Sequence, residues 1–285
     1  IGDLILMLNR KNKTLAIISI IILILLMFPL LLVIITSFNN QDSISLPIKG
    51  FTLSWYANIF QQPDFISGFE SSLFVAIIAS LSALIIGIPA VYALTRFNIV
   101  HKSWFHSFFL SPTLIPEIVI GFALYQAAVV TLRLPVMPSL IIGHFLLCLP
   151  YVIRLVTASM LLMDKNIEEA AWVCVCSPQK GFFLIVLPNI KASIVAAFMM
   201  CFINSFNNIP ISLFMNGPSI TMLPPAILNY LQNNYDPTVS AISVVLMIFT
   251  ALIMLLTEKL VGLNKLTDRN NYCLLYTSPS PRDLS

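Results

Sequence analysis

Glu117 is a carboxylate set in the apolar run Leu114-Ile-Pro-Glu-Ile-Val-Ile-Gly121, and Pro116 beside it removes a backbone donor and can open the helix locally. A second polar interruption is Asn204-Ser-Phe-Asn-Asn208, where Asn204 and Asn208 stand four apart on one helical face and Asn207 lies between them. His144 and Cys148 share the same spacing. Two ligands are too few for zinc, so His144 is expected to make a helix–helix hydrogen bond. Cys174 and Cys176 form a C-x-C with no second ligand pair, and the five cysteines read as small apolar packing residues. Hydrolytic patterns such as H-E-x-x-H or paired intramembrane aspartates do not occur. Neither does G-x-x-x-x-G-K-[ST], so the sequence offers no P-loop for a nucleotide. No basic cluster is interleaved with aromatics, which excludes nucleic acid as a partner.

The elements that must position these residues follow from composition. Only 9% of the 285 residues are charged and 58% are hydrophobic, whereas a soluble domain carries about a quarter charged residues. The surface this chain can present suits lipid. A span needs about 20 apolar residues to cross roughly 30 Å of hydrocarbon, and six stretches qualify: Leu15–Ser37, Ser72–Leu94, Phe108–Leu132, Ser139–Met160, Ser193–Phe214 and Val239–Leu260. Each is expected to be helical, because a helix satisfies its own backbone in lipid. The fold class is therefore all-α and polytopic, with six transmembrane helices.

Charge sets the expected orientation. With the N-terminus cytoplasmic, eleven Lys and Arg lie inside and two, Lys49 and Arg133, outside; basic residues favour the cytoplasmic side. Arg154 falls within span four, where it can snorkel toward the cytoplasmic face. The first outer loop carries Trp55, Tyr56, Phe60 and Phe65, which suit a helix at the membrane interface. A carboxylate at the depth of Glu117 is expensive unless it faces protein, water or a cation. Two roles are open to it: a place on a translocation path, or a structural hydrogen bond to a neighbouring helix. The same two are open to the span-five asparagines.

The inner loop between spans four and five, about residues 164–190, reads Asp164-Lys-Asn-Ile-Glu-Glu-Ala-Ala-Trp-Val-Cys-Val-Cys-Ser-Pro-Gln-Lys-Gly-Phe-Phe-Leu-Ile-Val-Leu-Pro188. Asp164, Glu168 and Glu169 favour a helix start through its dipole, and Ala170 and Ala171 allow a partner surface to approach closely. With Glu169-Ala-Ala171 and Leu187-Pro188 in place, the loop resembles the E-A-A loop of binding-protein-dependent ABC importer permeases. Val175 stands where that family has glycine, at a turn that a β-branched residue tolerates poorly. The resemblance extends to Gly50-Phe-Thr-Leu-Ser-Trp-Tyr56, Gly87-Ile-Pro-Ala-Val-Tyr-Ala-Leu-Thr-Arg96, His144-Phe-Leu-Leu-Cys-Leu-Pro-Tyr-Val152 and Asp236-Pro-Thr238. It spans roughly residues 15–265 and is strongest to the spermidine/putrescine C subfamily, with phosphonate, opine and ferric-iron importers as neighbours.

The resemblance implies type I importer architecture, with Glu168, Glu169, Ala170, Ala171, Val175, Leu187 and Pro188 forming the ATPase-coupling element. It implies a path lined by Glu117, Asn204, Asn207 and Asn208; polyamine permeases often carry acids at the last two positions. It also implies partners: a dimer of ABC ATPase subunits that binds the ATP, a second and different permease subunit, and a periplasmic or lipid-anchored binding protein. No cofactor of the chain's own is implied. The inner membrane of a bacterium is the expected location. Residues 1–14 are expected to be a cytoplasmic segment whose start is missing, since position 1 is Ile, and residues 272–285 resemble a peptide translated from sequencing-adapter DNA, set aside from the fold.

Overall fold

In lipid an apolar run has few ways to pair its backbone groups, and in the computed structural model the runs are helices. The structure describes residues 13–173, 177–217 and 220–261. Residues 1–12, Cys174, Val175, Cys176 and the tail 272–285 lie outside the described residues.

Four helices cross as unbroken spans: α1 (Lys13–Thr36), α3 (Pro63–Arg96), α6 (Val136–Leu162) and α12 (Thr238–Val261). Between α1 and α3 lies the short α2 (Ser54–Ile59). Two further crossings are bent pairs: α4 (Lys102–Leu114) meets α5 (Glu117–Thr131) at 95°, and α8 (Gln179–Asn189) meets α9 (Lys191–Phe206) at 72°. Each pair counted as one gives the six spans expected. The remaining helices are α7 (Lys165–Val173), α10 (Pro210–Met215) and α11 (Leu223–Asn233).

The sequence allowed Pro116 to open span three and gave span five as continuous to Phe214; both are broken. Span three turns at Ile115, extended at φ −100°, ψ 133°, because Pro116 disfavours helix in the residue before it. Span five was expected to run to Phe214 but stops at Phe206. Pro210 starts α10 as a first-turn proline, and its missing N–H cannot continue the preceding ladder. Span two, expected from Ser72, begins nine residues earlier at Pro63.

Contacts divide the chain into two units, Ile1–Ile66 with Ala226–Phe249 and Ser67–Pro225 with Thr250–Ser285. In the first, the Thr36 hydroxyl donates to Ser240 Oγ at 3.0 Å, and Asn58 Nδ2 donates to Thr238 Oγ1 at 2.9 Å. Tyr230 donates to Asp236 at 2.8 Å, and burial pushes its phenol above the ordinary value of 10.0. The loop aromatics expected to lie at an interface divide: Phe60 is exposed, Phe65 is buried against the Tyr230 ring, and Trp55 donates its indole N–H to Asn39 O at 2.6 Å. The leading residues of α1 stay exposed along its length, as a helix facing lipid does.

In the second unit α6 is the axis. Cys148, Val152 and Val156 on it pack with Ala79, Ala83 and Val91 of α3 and with Ala197 and Cys201 of α9. Cys148 and Cys201 are free and buried, and each thiol faces the other's backbone carbonyl. The packing role read for them from sequence holds for these two. His144, fully buried, bonds Ser205 Oγ through Nδ1 at 2.7 Å and Ser212 Oγ through Nε2 at 3.3 Å. It joins α6, α9 and α10, which is the helix–helix role expected of it.

Candidate functional site

Glu117 opens α5, one residue past the 95° bend. Its position at a helix N-terminus suits an anion, since unpaired N–H groups there carry partial positive charge. Asn208 Nδ2 donates to Glu117 Oε2 at 2.8 Å. The other end of the same amide is also fixed: Oδ1 accepts the Ile211 N–H at 2.9 Å, capping α10. Asn208 is 4% exposed, so the carboxylate is met by a donor with no freedom to turn away.

Close approach of α5 to α10 makes this contact possible, and Gly121 permits it. A Cβ there would lie 2.9 Å from the Pro210 carbonyl oxygen and 3.0 Å from Ile211 Cα. Any larger residue would part the two helices that carry Glu117 and Asn208.

A cavity of about 120 Å³ borders Glu117, lined also by Thr113, Ile115, Leu147, Pro150 and Tyr151. Asn204 Nδ2 donates to the Tyr151 hydroxyl at 2.7 Å. Arg154, one turn further along α6, donates from Nη2 to Thr113 Oγ1 at 3.1 Å. Asn208 therefore meets Glu117 directly, while Asn204 reaches the same cavity only through Tyr151. Asn207 is left out: it is exposed, at the C-terminal cap of α9. Tyr151 and Thr113 were missed by sequence reasoning. Tyr151 stands seven residues, two turns, after His144, a spacing that put both on one side of α6 and was available as a signal.

The loop between spans four and five separates Glu168 from Glu169. Asp164 Oδ1 accepts the Asn166 N–H at 3.0 Å and starts α7. Glu168 then turns inward, 4% exposed, to an ion pair with Arg96 at the end of α3. Glu169 and Ala170 face outward. Ala171 lies within α7, Leu187 and Pro188 within α8, with Pro188 exposed. Val175 falls outside the described residues. The same segment also bares Ile167 on α7 and Phe183 and Leu184 on α8, the last two 65% and 70% exposed. Large apolar side chains bared beside charged ones mark a surface that binds protein or lipid. Their exposure depends on how the loop folds back, which the sequence pattern did not disclose.

Broken spans around an intramembrane acid, and a helical loop with an outward acid, define a polytopic membrane transport component. The chain belongs to the family described as binding-protein-dependent transport system inner membrane component, which matches residues 71–262. It is a multi-pass inner-membrane protein, and a part of a transport system rather than an enzyme. It is 27% identical to the putrescine transport system permease protein PotI of Escherichia coli (strain K12) over 77% of this chain and 80% of the relative. Against the spermidine/putrescine transport system permease protein PotC of the same strain it is 26% identical, over 83% and 89%. A putative 2-aminoethylphosphonate transport system permease protein, PhnV of Salmonella paratyphi A, is 24% identical over 85% and 91%. Among solved structures, a bacterial ABC transporter involved in import of the acidic polysaccharide alginate matches with a TM-score of 0.65, at 14% identity over 88% of this chain and 98% of that one. The inward-facing MetNI methionine ABC transporter matches at 0.56, with 19% identity over 70% and 94%. At such identities the likeness is one of fold.

Proposed function

We propose that the chain is a membrane-spanning subunit of an ATP-driven importer of polyamines. The observation that carries the substrate class is the Glu117 carboxylate, held by Asn208 at the lining of a cavity inside the spans. A flexible polycation entering lipid-flanked protein must replace its hydration, and a fixed carboxylate offsets part of that cost. Similarity to putrescine and spermidine permeases supports the same class. Two ATPase subunits dock beneath the loop containing Glu169 and Ala170, a second, different permease subunit completes the path, and a solute-binding protein delivers from outside. The N-terminus is cytoplasmic on the balance of eleven inner to two outer basic residues.

Replacing Glu117 with Gln keeps shape and removes charge. Hydrogen bonds to charged groups contribute about 1.5–3 kcal/mol, so uptake of putrescine in proteoliposomes should fall about tenfold or more. Unchanged uptake would leave Glu117 a structural residue. A second reading, an organophosphonate as solute, is favoured by the relative PhnV and by Arg154 beside the cavity-lining Thr113. Competition of labelled putrescine uptake by excess 2-aminoethylphosphonate decides between them: none is expected.

A further inference from the structure

Arg96 and Glu168 are both nearly buried, at 7% and 4% side-chain exposure, and their partners belong to several elements. The guanidinium donates from Nε to Glu168 Oε1 and from Nη2 to the Met163 carbonyl at 3.2 Å, just past the end of α6. Tyr92, four residues before Arg96 and on the same face of α3, donates its hydroxyl to Glu168 Oε2 at 3.3 Å. The Tyr92 ring also packs on Phe182, with centroids 4.8 Å apart. One turn of α3 thus grips both limbs of the cytoplasmic loop, Glu168 before its tip and Phe182 after it. A buried ion pair adds little net stability over an apolar pair of the same size, while loss of one partner is expensive. What this one provides is a fixed geometry between the loop and α3.

The far end of α3 is held as well. Ser72 Oγ accepts the Leu223 N–H at 2.9 Å, in the segment leading into α11. Gly68 lies so close that an added Cβ would sit 3.0 Å from Leu223 Cα. At 1.5 Å per residue, Ser72 and Arg96 are separated by about 36 Å, somewhat more than the hydrocarbon thickness of a bilayer.

We propose that α3 is the arm that carries ATPase movement across the membrane. The clasp of Arg96, Glu168 and Tyr92 converts displacement of α7 into displacement of α3, and the Ser72 contact delivers it to the outer segment at residues 222–223. Arg96 and Glu168 are positioning residues in this scheme; neither touches ATP or solute. The inference rests on the chain being a subunit of an ATP-driven importer.

The test measures solute imported and ATP hydrolysed in the same vesicles carrying the whole reconstituted complex. For R96Q the solute moved per ATP should fall about fivefold or more, the lower end of ordinary coupling between sites, while binding-protein-stimulated hydrolysis stays close to wild type; E168Q should lower the same ratio. R96K, which keeps the cation, should retain most of the ratio, and the reversed pair R96E/E168R should recover part of what either single reversal loses. If the glutamine variants do not assemble, Tyr92→Phe, which leaves the ion pair in place, should lower the same ratio. An unmoved ratio, or transport and hydrolysis lost in equal proportion, would overturn the arm. Wild-type vesicles that import nothing on ATP addition would instead overturn the importer reading itself.

Discussion

Glu117 meets Asn208 because each stands at the start of a helix that a proline begins. Pro116 places the acid in the first turn of α5, and Pro210 leaves Asn208 free to cap α10 with one end of its amide and hold Glu117 with the other. Asn207, its neighbour in sequence, faces away. The two asparagines should therefore differ sharply under the same substitution. Asn208→Ala removes the carboxylate's donor and the α10 cap together, and a lost cap alone costs about 1 kcal/mol. Thermal unfolding of the detergent-solubilised protein should shift clearly downward for Asn208→Ala and hardly at all for Asn207→Ala. Sequence spacing put Asn204 and Asn208 on one helical face, but the helix ends before Asn208, which bonds Glu117 while Asn204 bonds Tyr151. The spacing gave no means to exclude Asn207, because the helix it assumed there ends one residue earlier, at Phe206.

At the scale of elements, the spans were legible and their breaks only in part: Pro116 read as able to open span three, while the stop before Pro210 did not show. Lipid leaves an apolar run of about 20 residues little choice but helix, so six crossings follow from composition alone. Whether a proline inside such a run bends it depends on neighbours that re-satisfy the freed groups. Pro89 and Pro150 sit within continuous helices, whereas Pro116 and Pro210 begin new ones. Gly121 is the counterpart that packing requires. Gly121→Leu would drive a side chain into the backbone at Pro210 and Ile211, and overpacking of this kind costs about 1–3 kcal/mol. The variant should unfold at lower temperature and also lose putrescine uptake, since α5 and α10 carry the two halves of the Glu117 contact. Retained uptake with lowered stability would place that contact outside the path. The loop acids teach a similar lesson. Glu168 and Glu169 are equivalent by type, and the one that turns inward is chosen by Arg96, 72 residues away in the chain.

For the whole molecule, the central claim is that this chain moves solute only when a partner ATPase drives it. The outward Glu169, the exposed Phe183 and Leu184 of the same segment, and membership of a binding-protein-dependent family all support that claim. A channel or secondary transporter of the same hydropathy would have no use for such a surface. Glu169→Lys should leave the folded permease intact in detergent, since the side chain is exposed, while abolishing ATP-dependent uptake through failed docking. The most direct measurement is labelled putrescine entering proteoliposomes that hold this chain and its sister permease, with and without the ATPase subunits, binding protein and ATP. Uptake that requires all three additions, and that Glu169→Lys abolishes, is the result predicted. Uptake of equal rate in vesicles lacking the ATPase would contradict the account.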